Sequence, residues 1–331
     1  MSSPDLTISI VSYNTSALLR DCLNSVYENI RGIKFEVIVV DNNSTDDSLE
    51  MVKTEFPQVT LIENKENVGF ARANNQVFGR SKGRFFLLLN SDTKVLSYSI
   101  EKMVEFMDLH PDVGAVGCEQ IHPDGSIQPH IEKFLNLPSA LWVVFLGFFN
   151  VKALVPSSKW RRFIAKYFGV IIGKTINLYL NHYLEDKKAS QEVDRVGGAC
   201  FLVRRGTVED VGMLDENFFM YTEDADWCFR MKQKGWKIYL LPEVKVVHYV
   251  GQSSKGMFTR ASPERYKSTC YFFKKYYGKK GLVLLKILVI LVVTIQLGFF
   301  IFTYLSSNNK KQKERLVSRL ELIKLSIISR P

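Results

Sequence analysis

At 331 residues the chain is long enough for one large domain with an appendage; its 46% hydrophobic and 24% charged residues exclude wholesale disorder, and 20 Gly exclude a collagen-like repeat. The formal charge of +10 raises nucleic acid or an anionic membrane as partners, a choice that depends on where the charge sits. Five scattered cysteines (Cys22, Cys118, Cys200, Cys228 and Cys270) without a C-x-x-C pair read as reduced thiols, and the N-terminal stretch lacks the basic-then-apolar pattern of a secretory signal, so the first 250 residues are expected in the cytoplasm.

In chain order, TISIV (7–11) predicts a buried strand and 16–30 a helix with Ser16 as its N-cap. FEVIVV (35–40) predicts a second strand, 45–56 a helix capped by Thr45, VTLIE (59–63) a third strand, and 70–81 another helix. RFFLLL (84–89) predicts a fourth strand, 97–109 a helix stopped by Pro111, and VGAVGCE (113–119) a fifth strand. This alternation predicts an α/β fold, a parallel sheet with helices on both faces. In such sheets ligands bind beyond the carboxyl ends of the strands, so the residues just after each strand are the candidates for chemistry.

The middle, 130–190, is less regular; its apolar runs 141–155 and 163–180, with Trp142, Phe145, Phe148 and Phe149, read either as core helices or as a lipid-facing surface. Order returns at VGGACFLVRRG (196–206), then a helix from Glu223 to Lys234 stopped by Gly235, then strands at 238–241 and 244–249. Residues 287–305 carry no charge and as a helix would span about 28 Å, close to a hydrocarbon core, which predicts a C-terminal membrane helix. The run 316–328 is amphipathic and suits an interface. Residues 251–331 hold 16 Lys and Arg against 3 acids, a charge of +13, which leaves 1–250 at −3. The basic balance therefore belongs beside the apolar span, and no basic groove for nucleic acid is expected on the preceding domain.

Four clusters follow predicted strands. Ser12-Tyr13-Asn14 offers backbone groups and an aromatic face to a base, or is simply a turn. Asp41 can accept from a ribose hydroxyl or a base N–H, or shape an Asx-turn with Asn42, Asn43 and Ser44. No Gly-rich loop follows the first strand, which disfavours a dinucleotide fold. Asp92, in LLLNSDT, can hold Mg2+ or Mn2+ through hard oxygen, and the metal can bridge a diphosphate. Glu223, Asp224 and Asp226 crowd one helix N-terminus; three acids in four residues repel one another, so dipole stabilisation is a weak motive, and one of them can serve as a general base. His248, ending the last strand, can ligate a metal if it converges with Asp92.

In this order and spacing the chain resembles a family 2 inverting glycosyltransferase of the GT-A fold, most of all the bacterial rhamnosyltransferase-type branch. The matching strings are SIVSYNTSALLRDCLNSV, FEVIVVDNNSTDDSLEMV, NKENVGFARANNQ, GRFFLLLNSDT, DVGAVGCEQIHPDGSIQ, VGGACFLVRRGTVEDVGMLDENFFMYTEDADWCFRMKQKGW and VVHYVGQS, covering about 7–128 and 193–254. The resemblance implies a Rossmann-like, mostly parallel sheet, a nucleotide-sugar donor, a divalent metal (Mg2+ or Mn2+) and direct displacement at the anomeric carbon. By motif it implies that Tyr13 and Asp41 line the base pocket and that Arg72 sits beside the nucleotide; Asn14, next to Tyr13, is a further substrate-binding candidate. Asn90 and Asp92 stand where the family has D-x-D, Asp92 at the metal-binding position, and His248 matches a position that assists the metal or diphosphate. Asp224 matches the catalytic base, flanked at the substrate by Glu223 and Asp226, while Gly197 and Gly198 let backbone approach the donor sugar or acceptor. Asn90 in the first motif position leaves fewer acidic ligands. No Q-x-x-R-W follows Asp226, which favours transfer of one or a few sugars over polymer synthesis.

The expectation is a catalytic domain over 1–255, with 130–190 as a variable acceptor- or membrane-facing region, and a basic membrane-attachment region over 256–331. It would move a sugar, rhamnose from dTDP-rhamnose by the resemblance, to a lipid-linked or cell-surface glycan at the inner face of the cell membrane. The alternatives are a galactofuranosyl- or other UDP-sugar transferase, or a catalytically weak nucleotide-sugar-binding protein held at the membrane.

Overall fold

The computed structural model describes residues 3–128, 134, 189–249, 263–307, 320, 324 and 326. Four parallel strands, β1 (Leu6–Ser12), β2 (Phe35–Asp41), β3 (Thr60–Glu63) and β4 (Phe85–Asn90), alternate with α1 (Ser16–Asn29), α2 (Ser48–Glu55) and α3 (Phe70–Phe78). Then follow β5 (Thr93–Val95), α4 (Ser99–Leu109), β6 (Val113–Ile121), β7 (Gln191–Glu192), β8 (Cys200–Arg204), α5 (Arg205–Val211), α6 (Glu223–Gln233) and β9 (Lys237–His248). The sheet order is β3-β2-β1-β4-β8-β6-β9-β5, with β7 also paired to β9.

The sheet is mixed, with antiparallel pairs beside the parallel ones, which corrects the expectation of a mostly parallel sheet. β8 runs antiparallel to both β4 and β6, with Leu89 opposite Cys200 and Phe85 opposite Arg204. The chain re-enters the sheet at the carboxyl edge of β4, so β8 must run the other way, and its leading loop is delivered to that same edge. The strands expected at 238–241 and 244–249 form one, because a bulge around Pro242 absorbs the register shift between Leu241 opposite Cys118 and Lys245 opposite Glu119.

Successive strand residues face opposite layers. Val37, Val39, Phe85, Leu87 and Leu89 pack with Leu19, Leu23, Met51 and Met103, while Ile38, Val40, Phe86 and Leu88 pack with Ala71, Val77, Phe78 and Trp227. Trp227 is fully buried, edge-on to Phe78 and Phe201, and donates its indole N–H to the Gly212 carbonyl. All five cysteines are buried free thiols; burial pushes the Cys228 thiol up to about 12.

Two helix starts differ from expectation. α1 begins at Ser16, but the Ser16 side chain makes no cap; the Asp46 carboxylate accepts its N–H at 3.0 Å. α2 begins at Ser48, not near Thr45, because Asp46 also accepts the Ser48 N–H at 3.1 Å and the Ser48 hydroxyl at 2.5 Å. One acid thus caps two helices.

The chain divides into two compact units, Met1–Phe134 with Glu185–Lys255, and Leu135–Leu184 with Gly256–Pro331. The second contains α7 (Pro263–Ser307), broken at Gly278, whose φ of 67° lies in the left-handed region. Leu282, Leu285, Val289 and Val293 are buried on one face of α7, and Val283, Leu284, Ile287 and Leu291 are exposed. Among the described residues no helix is long and apolar enough to cross a membrane. The membrane helix expected over 287–305 is therefore unsupported: the segment is helical, but α7 carries Lys279, Lys280 and Lys286 and packs one of its apolar faces within the protein. The runs 141–155, 163–180 and 308–319, with Trp142, Phe145, Phe148 and Phe149, lie outside the described residues, as does most of 316–328.

Candidate active site

The strand register sets the site. Ser12 is paired with Asp41 and Val11 with Asn90, so the loops after β1, β2 and β4 open at one edge of the sheet. Asp41 is buried; its Oδ2 accepts the Ser44 N–H at 2.8 Å, and its buried Oδ1 has no hydrogen-bond partner among the described residues. A buried carboxylate oxygen without a donor is costly unless a ligand supplies one. Tyr13 is half-buried beside this loop. Asn14, at φ 54°, has its side-chain oxygen already engaged by the Thr45 N–H at 2.7 Å, so it ties the β1 loop to the β2 loop.

Arg72 lies on α3 with its guanidinium 3.8 Å from Glu216, and this pair is exposed. The structure does not join it to Asp41 or Asp92. α3 is anchored where the Phe70 N–H donates to the Phe219 carbonyl at 2.7 Å; a Cβ on Gly69 would stand 2.4 Å from that same oxygen.

Beyond β4, Asp92 is 2% exposed. Three-residue β5 then pairs antiparallel with the end of β9, Thr93 opposite His248, which sets His248 Nε2 at 3.3 Å from Asp92 Oδ1. The two residues on whose meeting the metal reading depended are thus brought together by a strand too short to be read in advance. Two glutamines missed in the sequence fix the imidazole. The oxygens of Gln120 and Gln128 both stand 3.1 Å from His248 Nδ1. The Gln128 amide nitrogen donates to the Ile121 and His248 carbonyls, so the Gln128 orientation is determined, and Nδ1 must be the protonated nitrogen. That leaves Nε2 as the nitrogen facing Asp92. The available signal was the PDG turn at 123–125, which folds the chain back so that the Gln128 N–H reaches the Gln120 carbonyl at 2.8 Å.

One carboxylate oxygen and one imidazole nitrogen fit Mg2+ or, better, Mn2+ held jointly with a diphosphate. No group of three or more His, Cys, Asp or Glu that could hold a metal occurs among the described residues, so phosphate oxygens would have to complete the shell. Under this edge a chain of buried hydroxyls, Ser12 to Thr15 at 2.9 Å and Thr15 to Ser91 at 3.1 Å, links the β1 and β4 loops. Asn90 is bound through its backbone, N–H to the Ala199 carbonyl at 3.0 Å.

Ala199 leads to the acids. Its neighbour Gly198 lies against Asp224: a Cβ there would be 3.9 Å from the Asp224 Cβ. A dipeptide therefore joins the Asn90 loop to the start of α6. Two consecutive non-glycine residues, Tyr221 (φ 68°) and Thr222 (φ 73°), are left-handed before Glu223; such conformations cost on the order of 1 kcal/mol each and concentrate at functional positions. Asp224 Oδ1 accepts the Ala225 N–H at 2.7 Å, and both oxygens stand 3.3–3.5 Å from Arg195 Nη2, a residue sequence reasoning did not single out. Glu223 is buried beside it. Asp226 corrects the expectation of a substrate contact. It is fully buried and accepts from Arg230 Nε at 2.9 Å, while Arg230 also donates to the Val211 and Met213 carbonyls, so this pair holds the loop after α5.

A family model described as glycosyl transferase family 2 matches residues 7–212. A similar protein is the N-acetylglucosaminyl-diphospho-decaprenol L-rhamnosyltransferase of Mycobacterium tuberculosis, 26% identical over 249 residues, 71% of this chain and 73% of that one. The low-salt glycan biosynthesis hexosyltransferase Agl10 of Haloferax volcanii is 22% identical over 74% of this chain and 67% of its own. Among solved structures, a mannosyltransferase from Pyrobaculum calidifontis in complex with GDP-Man and Mn2+ aligns with a TM-score of 0.55 at 16% identity, covering 99% of this chain and 87% of that one. S. aureus TarS 1–349 in complex with UDP-GlcNAc aligns with a TM-score of 0.51 at 13% identity, covering 98% and 81%. At these identities the structural likenesses speak to the fold.

Proposed function

The chain belongs to glycosyl transferase family 2, and from that premise we propose that it moves one sugar, rhamnose from dTDP-rhamnose, onto a lipid-linked or cell-surface glycan with inversion at the anomeric carbon. The observation that carries this reading is the common edge on which Asp41, the Asp92–His248 pair and Asp224 open. The rhamnosyl donor and lipid-linked acceptor are supported by the mycobacterial relative, named for transfer to an N-acetylglucosaminyl-diphospho lipid.

In this reading Asp41 takes a donor hydrogen from the nucleoside through its unpartnered Oδ1, with Tyr13 against the base. Asp92 and His248 would hold Mg2+ or Mn2+, which when bound neutralises charge on the leaving diphosphate. Asp224 Oδ2 faces Arg195 only at long range and takes the acceptor's hydroxyl proton as that oxygen bonds to the anomeric carbon and the bond to the diphosphate breaks. Gly198 lies against the base, where a Cβ would stand in ordinary contact with Asp224 and Phe70.

Work at the cytoplasmic face of the cell membrane is part of the same proposal. Its support is the +13 of residues 251–331 and the exposed Leu284, Ile287 and Leu291 beside Lys280 and Lys286, a pattern suited to lying on anionic lipid, where each Lys contributes roughly 1 kcal/mol. The test is a donor panel (dTDP-rhamnose, UDP-galactofuranose, other UDP-sugars) with Mn2+, reading nucleoside diphosphate release with and without anionic vesicles containing a lipid-linked acceptor. The expected result is release from dTDP-rhamnose that the vesicles increase. Release from a UDP-sugar alone reassigns the donor, indifference to the vesicles removes the membrane, and release from none reduces the protein to a binder.

A further inference from the structure

Helix α6 presents two Arg–Asp pairs that are built differently. Arg230–Asp226 is closed: its Nε contact is 2.9 Å, and both other guanidinium nitrogens donate to backbone carbonyls. Arg195–Asp224 is open. Its contacts of 3.3 and 3.5 Å come from one nitrogen, Nη2, and exceed the 2.7–2.9 Å or so of a charge-assisted hydrogen bond. Arg195 Nε is buried and has no partner among the described residues, although the side chain is only 13% exposed.

The looseness does not come from a mobile loop. Val193 and Val196, on either side of Arg195, are both buried, and the Val193 N–H donates to the Ile238 carbonyl at 2.9 Å. The guanidinium is thus held beside the base with most of its five donors unused. The proposed reaction aggravates this. Once Asp224 has taken the acceptor's proton it is neutral, and Arg195 is left as a nearly buried cation without a counter-ion, which proteins do not tolerate cheaply. The arrangement is complete only if substrate brings an anion, and a planar guanidinium fork matches phosphate oxygens.

We propose that Arg195 is a phosphate-reading residue beside the base, its Nε and Nη groups taking oxygens of a substrate diphosphate. This rests on the glycosyltransferase reading above. The diphosphate belongs either to the nucleotide donor or to a lipid-linked acceptor.

Full-length protein with Mn2+ separates the two sources by calorimetry. One arm titrates dTDP and UDP; the other titrates farnesyl diphosphate into protein already saturated with nucleotide. Arg195→Gln should weaken one arm about 10- to 100-fold, the range expected for charged hydrogen bonds, with Arg195→Lys in between. Loss in the first arm assigns the donor, and loss in the second assigns the acceptor. Asp224→Asn, which releases the guanidinium from its carboxylate, should bind the affected probe at least as tightly as wild type, an effect that a purely structural ion pair does not produce. Equal affinities for wild type and Arg195→Gln in both arms, or no binding of either probe by wild type, overturn the proposal. Failure of the base assignment reads out separately, as retained turnover in Asp224→Asn.

Discussion

His248 can accept a metal through Nε2 only while its other nitrogen stays protonated, and two glutamine oxygens at 3.1 Å enforce that tautomer. Replacing Gln128 with Leu should lower Mn2+ affinity, measured with nucleoside diphosphate present, by about 10- to 100-fold. It should also mix the His248 tautomers in imidazole 15N spectra, and an unchanged affinity with an unchanged spectrum would rule the tether out. The positions of Asp41 and His248 at strand ends, of Asp92 just past a strand and of Asp224 at a helix start were legible in the sequence, because strand and helix ends are local signals. The sequence did not reveal Arg195, Gln120 or Gln128, whose partners lie 29, 128 and 120 positions away and are brought near only by the return of β8 and the β6–β9 register. Asp226 was misread for a related reason: its partner Arg230 sits one helical turn on, and only burial shows that the pair is closed.

At the scale of elements, Asp46 joins the starts of α1 and α2. Burial pushes its carboxyl up, but hydrogen bonds from Ser48 and the Ser16 N–H outweigh that and hold it below the usual carboxylate range. A depressed carboxylate contributes stability above its unfolded value of about 4, and the contribution fades as pH falls through the folded value. Asp46→Ala should therefore cost about 1 kcal/mol at pH 7 in urea unfolding, less where solvent screens the exposed carboxylate, and the difference from wild type should shrink below pH 4. A gap that stays constant down to pH 2.5 would show that the carboxylate's charge is irrelevant. The alternation of strands and helices up to β6 was legible because apolar period and turn residues are local signals. The direction of β8 was not, since a single strand's composition does not distinguish parallel from antiparallel neighbours. Two-residue β7 and three-residue β5 carry too little pattern to read, yet β5 is what delivers His248.

For the whole molecule, charge is partitioned along the chain: residues 1–250 sum to −3 and residues 251–331 to +13. That division was visible in the sequence. The packing of the C-terminal helix was not, because an uncharged run has the same composition whether a helix crosses lipid or packs one face on protein, as α7 does with Leu285, Val289 and Val293. The central claim is that the edge where Asp41, Asp92, His248 and Asp224 open performs inverting transfer with Asp224 as base. Comparing Asp224→Asn with wild type tests it most directly, by single-turnover transfer from the preferred donor, NMR of the product's anomeric configuration, and a separate donor-binding measurement. Transfer should invert the anomeric centre in wild type and fall by about 10²- to 10⁴-fold in the variant, with donor affinity within a few-fold of wild type. Near-normal turnover in Asp224→Asn, or a product that retains configuration, would contradict it.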